Sequence, residues 1–208
     1  MVSRLLPASF SENITSKLGP TMFSRFLESM DAEVPVSIRI NHQKMSKPVD
    51  LEQVAWCKSG FYLAERPIFT LDPAFHSGAY YVQEASSMFI GHILEKIVIS
   101  NNGLKILDLS AAPGGKSTLI ASILQGKGLL VANEIIKNRA YTLKYNLCKE
   151  GYSNVIVTNN DPKDFSQLTS FFDIILIDAP CSGEGMFRKD PNAIGEWVFA
   201  KHAFTRTR

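Results

Sequence analysis

Two short stretches carry residues able to act together on a ligand. In "LDLSAAPGGKSTLIASIL", Leu107 to Leu124, Ser110, two glycines and Lys116 stand between an apolar run and an amphipathic one. In "LIDAPCSGEGMFRKDP", Asp178 precedes Cys181 by three residues. A glycine turn that opens a helix lets backbone approach a ligand closely and sets a helix N-terminus against it. A cysteine is a strong nucleophile once ionised, and a neighbouring lysine or carboxylate governs where charge and protons sit.

The first stretch has two chemical readings. Gly115-Lys116-Ser117 supplies the end of a phosphate loop, G-x-x-x-x-G-K-[ST], and "IILID" imitates the strand that offers a magnesium-binding aspartate. Against this, Ser110 occupies the place of the leading glycine, and Pro113 removes a backbone N–H from the cradle. Glu134 lies about twenty residues past the glycines, where a carboxylate grips the two hydroxyls of a ribose. The turn therefore suits the methionine end of S-adenosylmethionine better than nucleotide phosphates, and a P-loop nucleotide-binding protein is the weaker alternative.

The elements that must position these residues follow from periodicity. From Lys105 onward, apolar strands alternate with helical patterns: "KILDLS", helix 116–125, "GLLVANE", helix 137–149, "NVIVTN", a polar connection, and "FDIILIDA". This rhythm predicts βαβ units and a parallel sheet buried on both faces, with ligands beyond the carboxyl ends of its strands. Upstream, Phe10, Ile14 and Leu18, then Phe23, Phe26, Leu27 and Met30, are spaced as two helices, the second opened by Pro20. "VPVSIRIN" alternates as a strand with Val36, Ile38 and Ile40 on one face. A Gly-, Pro- and aromatic-rich segment follows, and residues 85–96 form a further helix. The division predicted is a small N-terminal α/β module over 1–74 and a larger α/β part over 75–208.

Composition sets the outer bounds. The 208 residues are 45% hydrophobic and 20% charged, which is a globular and not a disordered composition. No segment reaches membrane-span length, and the N-terminus lacks the apolar core of a signal peptide. Cys57, Cys148 and Cys181 are odd in number and far apart, which fits a reducing compartment, the cytoplasm, better than a disulfide framework. Residues 1–103 carry 9 Lys and Arg against 10 Asp and Glu, a net −1, whereas 104–208 carry 13 against 10, a net +3. The excess hints at an anionic ligand.

Together "LDLSAAPGGKST", "VANEIIKNRA", "LIDAPCSGEGMFRKDP" and "GAYYVQEASSM" closely resemble the Sun-type family of RNA cytosine carbon-5 methyltransferases, especially its bacterial ribosomal-RNA members of the RsmF/YebU kind. The resemblance runs from about Leu18 to Trp197 and implies a Rossmann-like S-adenosylmethionine-dependent methyltransferase sheet. It implies that Ser110, Ala111, Ala112, Pro113, Gly114, Gly115, Lys116, Glu134, Asp161 and Asp178 surround the cofactor, that no metal is needed, and that RNA, ribosomal RNA foremost, is the partner. Lys116 and Asp178 also face the target cytosine by the same resemblance. Carbon 5 of cytosine attacks a sulfonium methyl only after a thiolate has added to carbon 6. The family divides this work between a Thr-Cys cysteine on a later strand, which attacks, and the Pro-Cys cysteine, Cys181 here, which assists release. That later strand does not occur before Arg208, and "VFAKHAFTRTR" departs from the family's continuation. The expectations are a sheet incomplete at its C-terminal strands and a chain inactive as given, with a non-catalytic cofactor- or RNA-binding remnant as the alternative.

Other residues invite plainer readings. Cys148 and Cys57 are expected in the core, and His42, His76, His92 and His202 lack metal-ligand spacing. Asp161 before Pro162 either starts a turn or reaches the cofactor. Arg188 and Lys189 are either ordinary surface or phosphate contacts, and the tyrosines of "GAYYVQE" are either core or stacking residues.

Overall fold

A computed structural model describes residues 2–98, 100–179, 181–190 and 192–205; for Val2, Arg4 and residues 199–205 the description is of backbone only. The chain packs as two compact units, residues 1–34 with 180–208, and residues 35–179.

In the first unit, helix α1 spans Ala8–Asp31 and is interrupted at Gly19, whose φ of 74° leaves the helical region before Pro20 opens the second half. This is the pair of helices that the spacing predicts. A 3-10 turn, Glu184–Met186, precedes a C-terminal helix, Asn192–Thr205. Phe10, Met30, Phe187 and Ile194 form the unit's core, with the rings of Phe10 and Phe187 set edge to face at 5.2 Å. Arg188 donates from Nη2 to the carbonyls of Ala32 and Glu33, so its guanidinium serves as a tie between chain segments. His202 lies outside the residues whose side chains are described.

The second unit contains two sheets. Strands β1 (Val36–Ile40), β2 (Gly60–Leu63) and β3 (Tyr80–Val82) form an antiparallel sheet in the order β2-β1-β3. The expected boundary at residue 74 falls inside this sheet, with two of its strands before that residue and one after. A short helix, α2 (Pro73–His76), lies between β2 and β3, and α3 (Ala85–Val98) follows. The predicted alternation then appears as β4 (Lys105–Asp108), α4 (Gly115–Leu124), β5 (Leu129–Asn133), α5 (Lys137–Glu150), β6 (Val155–Thr158) and β7 (Ile174–Leu176). These strands form a parallel sheet in the order β6-β5-β4-β7. The chain thus leaves β4 to one side for two strands and returns to its other side, which makes the junction of β4 and β7 the switch point.

Burial departs from expectation at two places. The inner strands β4 and β5 are covered as predicted, with Ile106, Leu107, Leu130 and Ala132 buried. The marginal strands are not: Ile156 and Ile175 are each more than half exposed, as is Ile177 just after β7. In β1, by contrast, both faces are buried. Ile38 and Ile40 enter the small sheet's core, while Ser37 and Arg39 are inaccessible on the opposite face. Arg39 donates from Nε to Gln83 Oε1 at 2.9 Å and from Nη2 to Thr118 Oγ1 at 2.6 Å. This polar seam holds the small sheet against α4, which the alternation rule alone assigns to solvent.

Candidate functional site

The site begins with the way β4 ends. Apolar Ile106 and Leu107 bury the strand, and Asp108 at its last position is carried into the same low-dielectric surroundings, 1% exposed. Ser110 to Gly114 then form the turn, with Gly114 at φ 112° capping α4 from a left-handed conformation that favours glycine. A Cβ on Gly114 would press on Leu143, and one on Gly115 would stand 3.3 Å from the ring of Tyr81. The loop's own carbonyls are held from α5, because Arg139 donates to Ala112 O and Asn146 to Pro113 O, both at 2.8 Å.

A pocket opens where β4 and β7 end. Of the predicted residues, Ser110, Ala111, Ala112, Pro113, Gly115, Lys116 and Asp178 line it, and Gly114 stands in the same loop behind them. Lys116 Nζ and Asp178 Oδ2 are paired at 2.5 Å in a partly exposed position, which sets a cation and a carboxylate side by side at the pocket. The wall opposite the loop comes from β3 and the start of α3, through Tyr81, Gln83 and Ser87. Tyr80 is buried and donates to Asp72, which is the core role, whereas Tyr81 lines the pocket with the Arg39 guanidinium over its ring.

Asp108 is the residue that sequence reading missed. Its Oδ2 accepts from Ser117 Oγ at 2.6 Å, while its Oδ1 is buried without a partner. Burial raises its pKa to about 6. Asp178 nearby adds to the rise, and the Ser117 hydroxyl, Lys116 and the Ser110 N–H oppose it. A buried carboxylate oxygen at the wall of a pocket, with no donor placed in hydrogen-bond geometry on it among the described residues, is matched to a donor or cation on a ligand. The usable signal was its place: an acid on the last residue of the first strand, where such sheets bind ligands.

The remaining predicted residues lie elsewhere on the sheet's carboxyl edge. Glu134 follows β5 as expected, but it is 2% exposed and outside the pocket lining; its Oε1 accepts from Ile136 N–H and its Oε2 lies 3.6 Å from Arg139. Asp161 is exposed, accepts from Lys163 N–H and caps the 3-10 helix Pro162–Gln167, the turn-starting role. Cys181 is exposed in the first unit, in the loop before the Glu184–Met186 turn. Cys57 is buried as expected, but Cys148 is exposed, because it sits on a flank of α5 turned about a quarter of a revolution or more from Ala140, Leu143 and Leu147, which face inward. Among the described residues no group of three His, Cys, Asp or Glu is placed to hold a metal ion. No helix among them is long and apolar enough to cross a membrane.

The hydroxyls after Lys116 decide between the two readings of the loop. A phosphate loop turns its Ser or Thr hydroxyl toward magnesium. Here Ser117 and Thr118 are fully buried, the first donating to Asp108 and the second donating to Gly114 O while accepting from Arg39. Neither is free for a metal. A parallel sheet with its pocket at the switch point, a glycine turn, an acid on the last residue of the first strand and another just after the second defines a Rossmann-like methyltransferase domain. Family comparison then gives the group: residues 96–197 match the model of 16S rRNA methyltransferase RsmB/F, and residues 6–85 match the N-terminal domain of 16S rRNA methyltransferase RsmF. The chain belongs to this RsmF-type family of S-adenosylmethionine-dependent rRNA methyltransferases.

Individual relatives agree. Ribosomal RNA small subunit methyltransferase F of Pectobacterium carotovorum is 37% identical over 92% of this chain and 43% of its own length. The protein of the same name from Aeromonas salmonicida is 37% identical over 92% of this chain and 44% of its own. The chain therefore spans under half the length of these relatives. Among solved structures, a methyltransferase homolog protein from Pyrococcus horikoshii superposes with a TM-score of 0.74 at 30% identity, covering 91% of this chain and 64% of that one. NSun6 from the same organism shares the fold, with a TM-score of 0.69 at 18% identity over 86% of this chain and 72% of its own.

Proposed function

We propose that the pocket between the ends of β4 and β7 takes S-adenosylmethionine and that the protein methylates carbon 5 of a cytosine in ribosomal RNA. The observation that carries the cofactor reading is Asp108 Oδ1, a buried acceptor with no donor in hydrogen-bond geometry among the described residues, at the wall of a pocket lined by the glycine turn. The donor set fits a zwitterionic amino-acid end joined to a nucleoside. Asp108 meets the cationic part, Ser110 to Lys116 cradle the methionine end, and Glu134 and Asp161, which follow the next two strands, are assigned to the ribose and base of the adenosine.

When bound, the cofactor supplies an electrophilic methyl group. What the chain supplies is positioning. Asp178 offers a carboxylate acceptor to the amino edge of cytosine. Lys116 holds that carboxylate in place and brings a positive charge to the side where a base or thiolate carries negative charge. Cys181, five residues after β7, is assigned the release step, in which the thiol leaves carbon 6 as the carbon-5 proton is removed. Because the relatives are more than twice as long, this reaction is proposed for the whole protein, with the cytoplasm as its place and ribosomal RNA as its partner.

Titration calorimetry of the 208-residue chain tests the cofactor reading. One equivalent of S-adenosylmethionine is expected to bind without magnesium. Tight, magnesium-dependent binding of ATP with no binding of S-adenosylmethionine would reject it.

A further inference from the structure

Helix α5 has an outward face that nothing in the cofactor reading uses. Its inward residues Ala140, Leu143 and Leu147 pack beneath the loop with Ala111, Ala112 and Ala132. Outward, Lys137, Tyr141, Lys144, Tyr145 and Cys148 fall at spacings of three and four, which makes one continuous stripe. Tyr141 is 62% and Tyr145 58% exposed, unusual for two large aromatic side chains on a single helix. Lys149 lies with its Nζ 5.7 Å from the Tyr145 ring and 4.0 Å from that of Phe75, and Lys44 is anchored on the Lys149 carbonyl. The only acid in the helix, Glu150, is buried. The stripe thus presents cations and aromatic rings with no exposed carboxylate of its own. Arg139 and Asn146 tie the same helix to the cofactor loop.

We propose that this face of α5 is a docking surface for single-stranded RNA beside the cofactor pocket, an assignment that rests on the reading of the protein as an RNA methyltransferase. Unpaired bases have free faces that stack on aromatic rings, and residues four apart on a helix stand about 5–6 Å from each other, a span that serves neighbouring nucleotides. Lys137, Lys144 and Lys149 interleave with the rings where phosphates pass. A duplex hides its base faces and gains little from exposed tyrosines. An acidic polypeptide would use the lysines and leave the rings unused.

The test uses the 208-residue chain, a labelled pyrimidine-rich 20-nucleotide RNA, and fluorescence anisotropy. Tyr141→Ala with Tyr145→Ala is expected to weaken binding at least tenfold, the scale of lost base stacking. Lys137→Gln with Lys144→Gln is expected to reduce the slope of log affinity against log salt by about 1.4, at 0.7 per phosphate contact for a single strand. S-adenosylhomocysteine binding, measured alongside, stays unchanged in both variants and shows that they are folded. In a Cys181→Ser protein, the RNA also slows maleimide labelling of Cys148. Wild-type affinity in the tyrosine variant, equal binding of duplex RNA, equal binding of polyglutamate, or no RNA binding by a chain that binds the cofactor would each overturn the assignment. A chain that binds RNA through the tyrosines but takes no cofactor would strike the cofactor reading and leave this one standing.

Discussion

Replacing Asp108 with asparagine should make the cofactor-free protein more stable while making it a poorer binder. Burial lifts the Asp108 pKa from 3.8 to about 6, and two units correspond to ~3 kcal/mol at 1.36 kcal/mol per unit. Because the folded state holds this proton more tightly than the unfolded chain, the stabilisation is complete below pH 3.8 and is lost as pH rises through 6. Linkage puts roughly half of the loss before pH 5 and nearly all of it by pH 7.5. Asparagine is neutral throughout and keeps an oxygen for the Ser117 hydroxyl. Asp108→Asn should therefore raise the unfolding free energy by ~1–3 kcal/mol at pH 7.5 and about half as much at pH 5. Urea denaturation of both proteins at the two pH values measures this, and S-adenosylmethionine affinity should fall in the same variant. A variant that is destabilised equally at both pH values would show that Asp108 carries no burial cost, and the argument that its free oxygen awaits a ligand would fail.

Further outcomes follow from the same geometry. Glu134→Ala should weaken S-adenosylmethionine binding by ~1–3 kcal/mol, the range for hydrogen bonds to a charged group, as read by calorimetry. Arg39→Met removes the cation that most lowers the pKa of buried Glu150, which burial raises, and leaves Gln83 Oε1 without its donor, so it should destabilise the chain by ~1–3 kcal/mol. Adding Glu150→Gln should recover part of that in thermal melts. Ile175 is 54% exposed on the marginal strand β7, so the chain should self-associate with rising concentration in analytical ultracentrifugation and Ile175→Lys should reduce that association. A chain that stays monomeric throughout would refute this.

The regular part of the fold was legible because apolar runs such as "KILDLS" and "GLLVANE" alternate with helical spacing, and tertiary structure did not override that pattern. The short strands β2 and β3 were not, since three or four residues within a segment rich in Gly, Pro and aromatic residues offer no periodicity. Alternation placed Val36, Ile38 and Ile40 on one face of β1 and said nothing of Arg39, whose face only the packing of α4 shows to be closed. The loop, Lys116 and Asp178 could be seen from their places after strands, but the pairing of the last two could not. Asp108 sat inside an apolar run and looked like part of the strand, and Cys148 was misplaced by a general preference for buried thiols when the phase of Ala140, Leu143 and Leu147 already put it outside.

The most direct measurement is a crystal structure of the chain soaked with S-adenosylhomocysteine. The ligand should lie in the pocket between the ends of β4 and β7, with its amino group within hydrogen-bond distance of Asp108 Oδ1 and its ribose toward Glu134. A ligand bound elsewhere, or one seated there with Asp108 Oδ1 still unpartnered, would contradict the account.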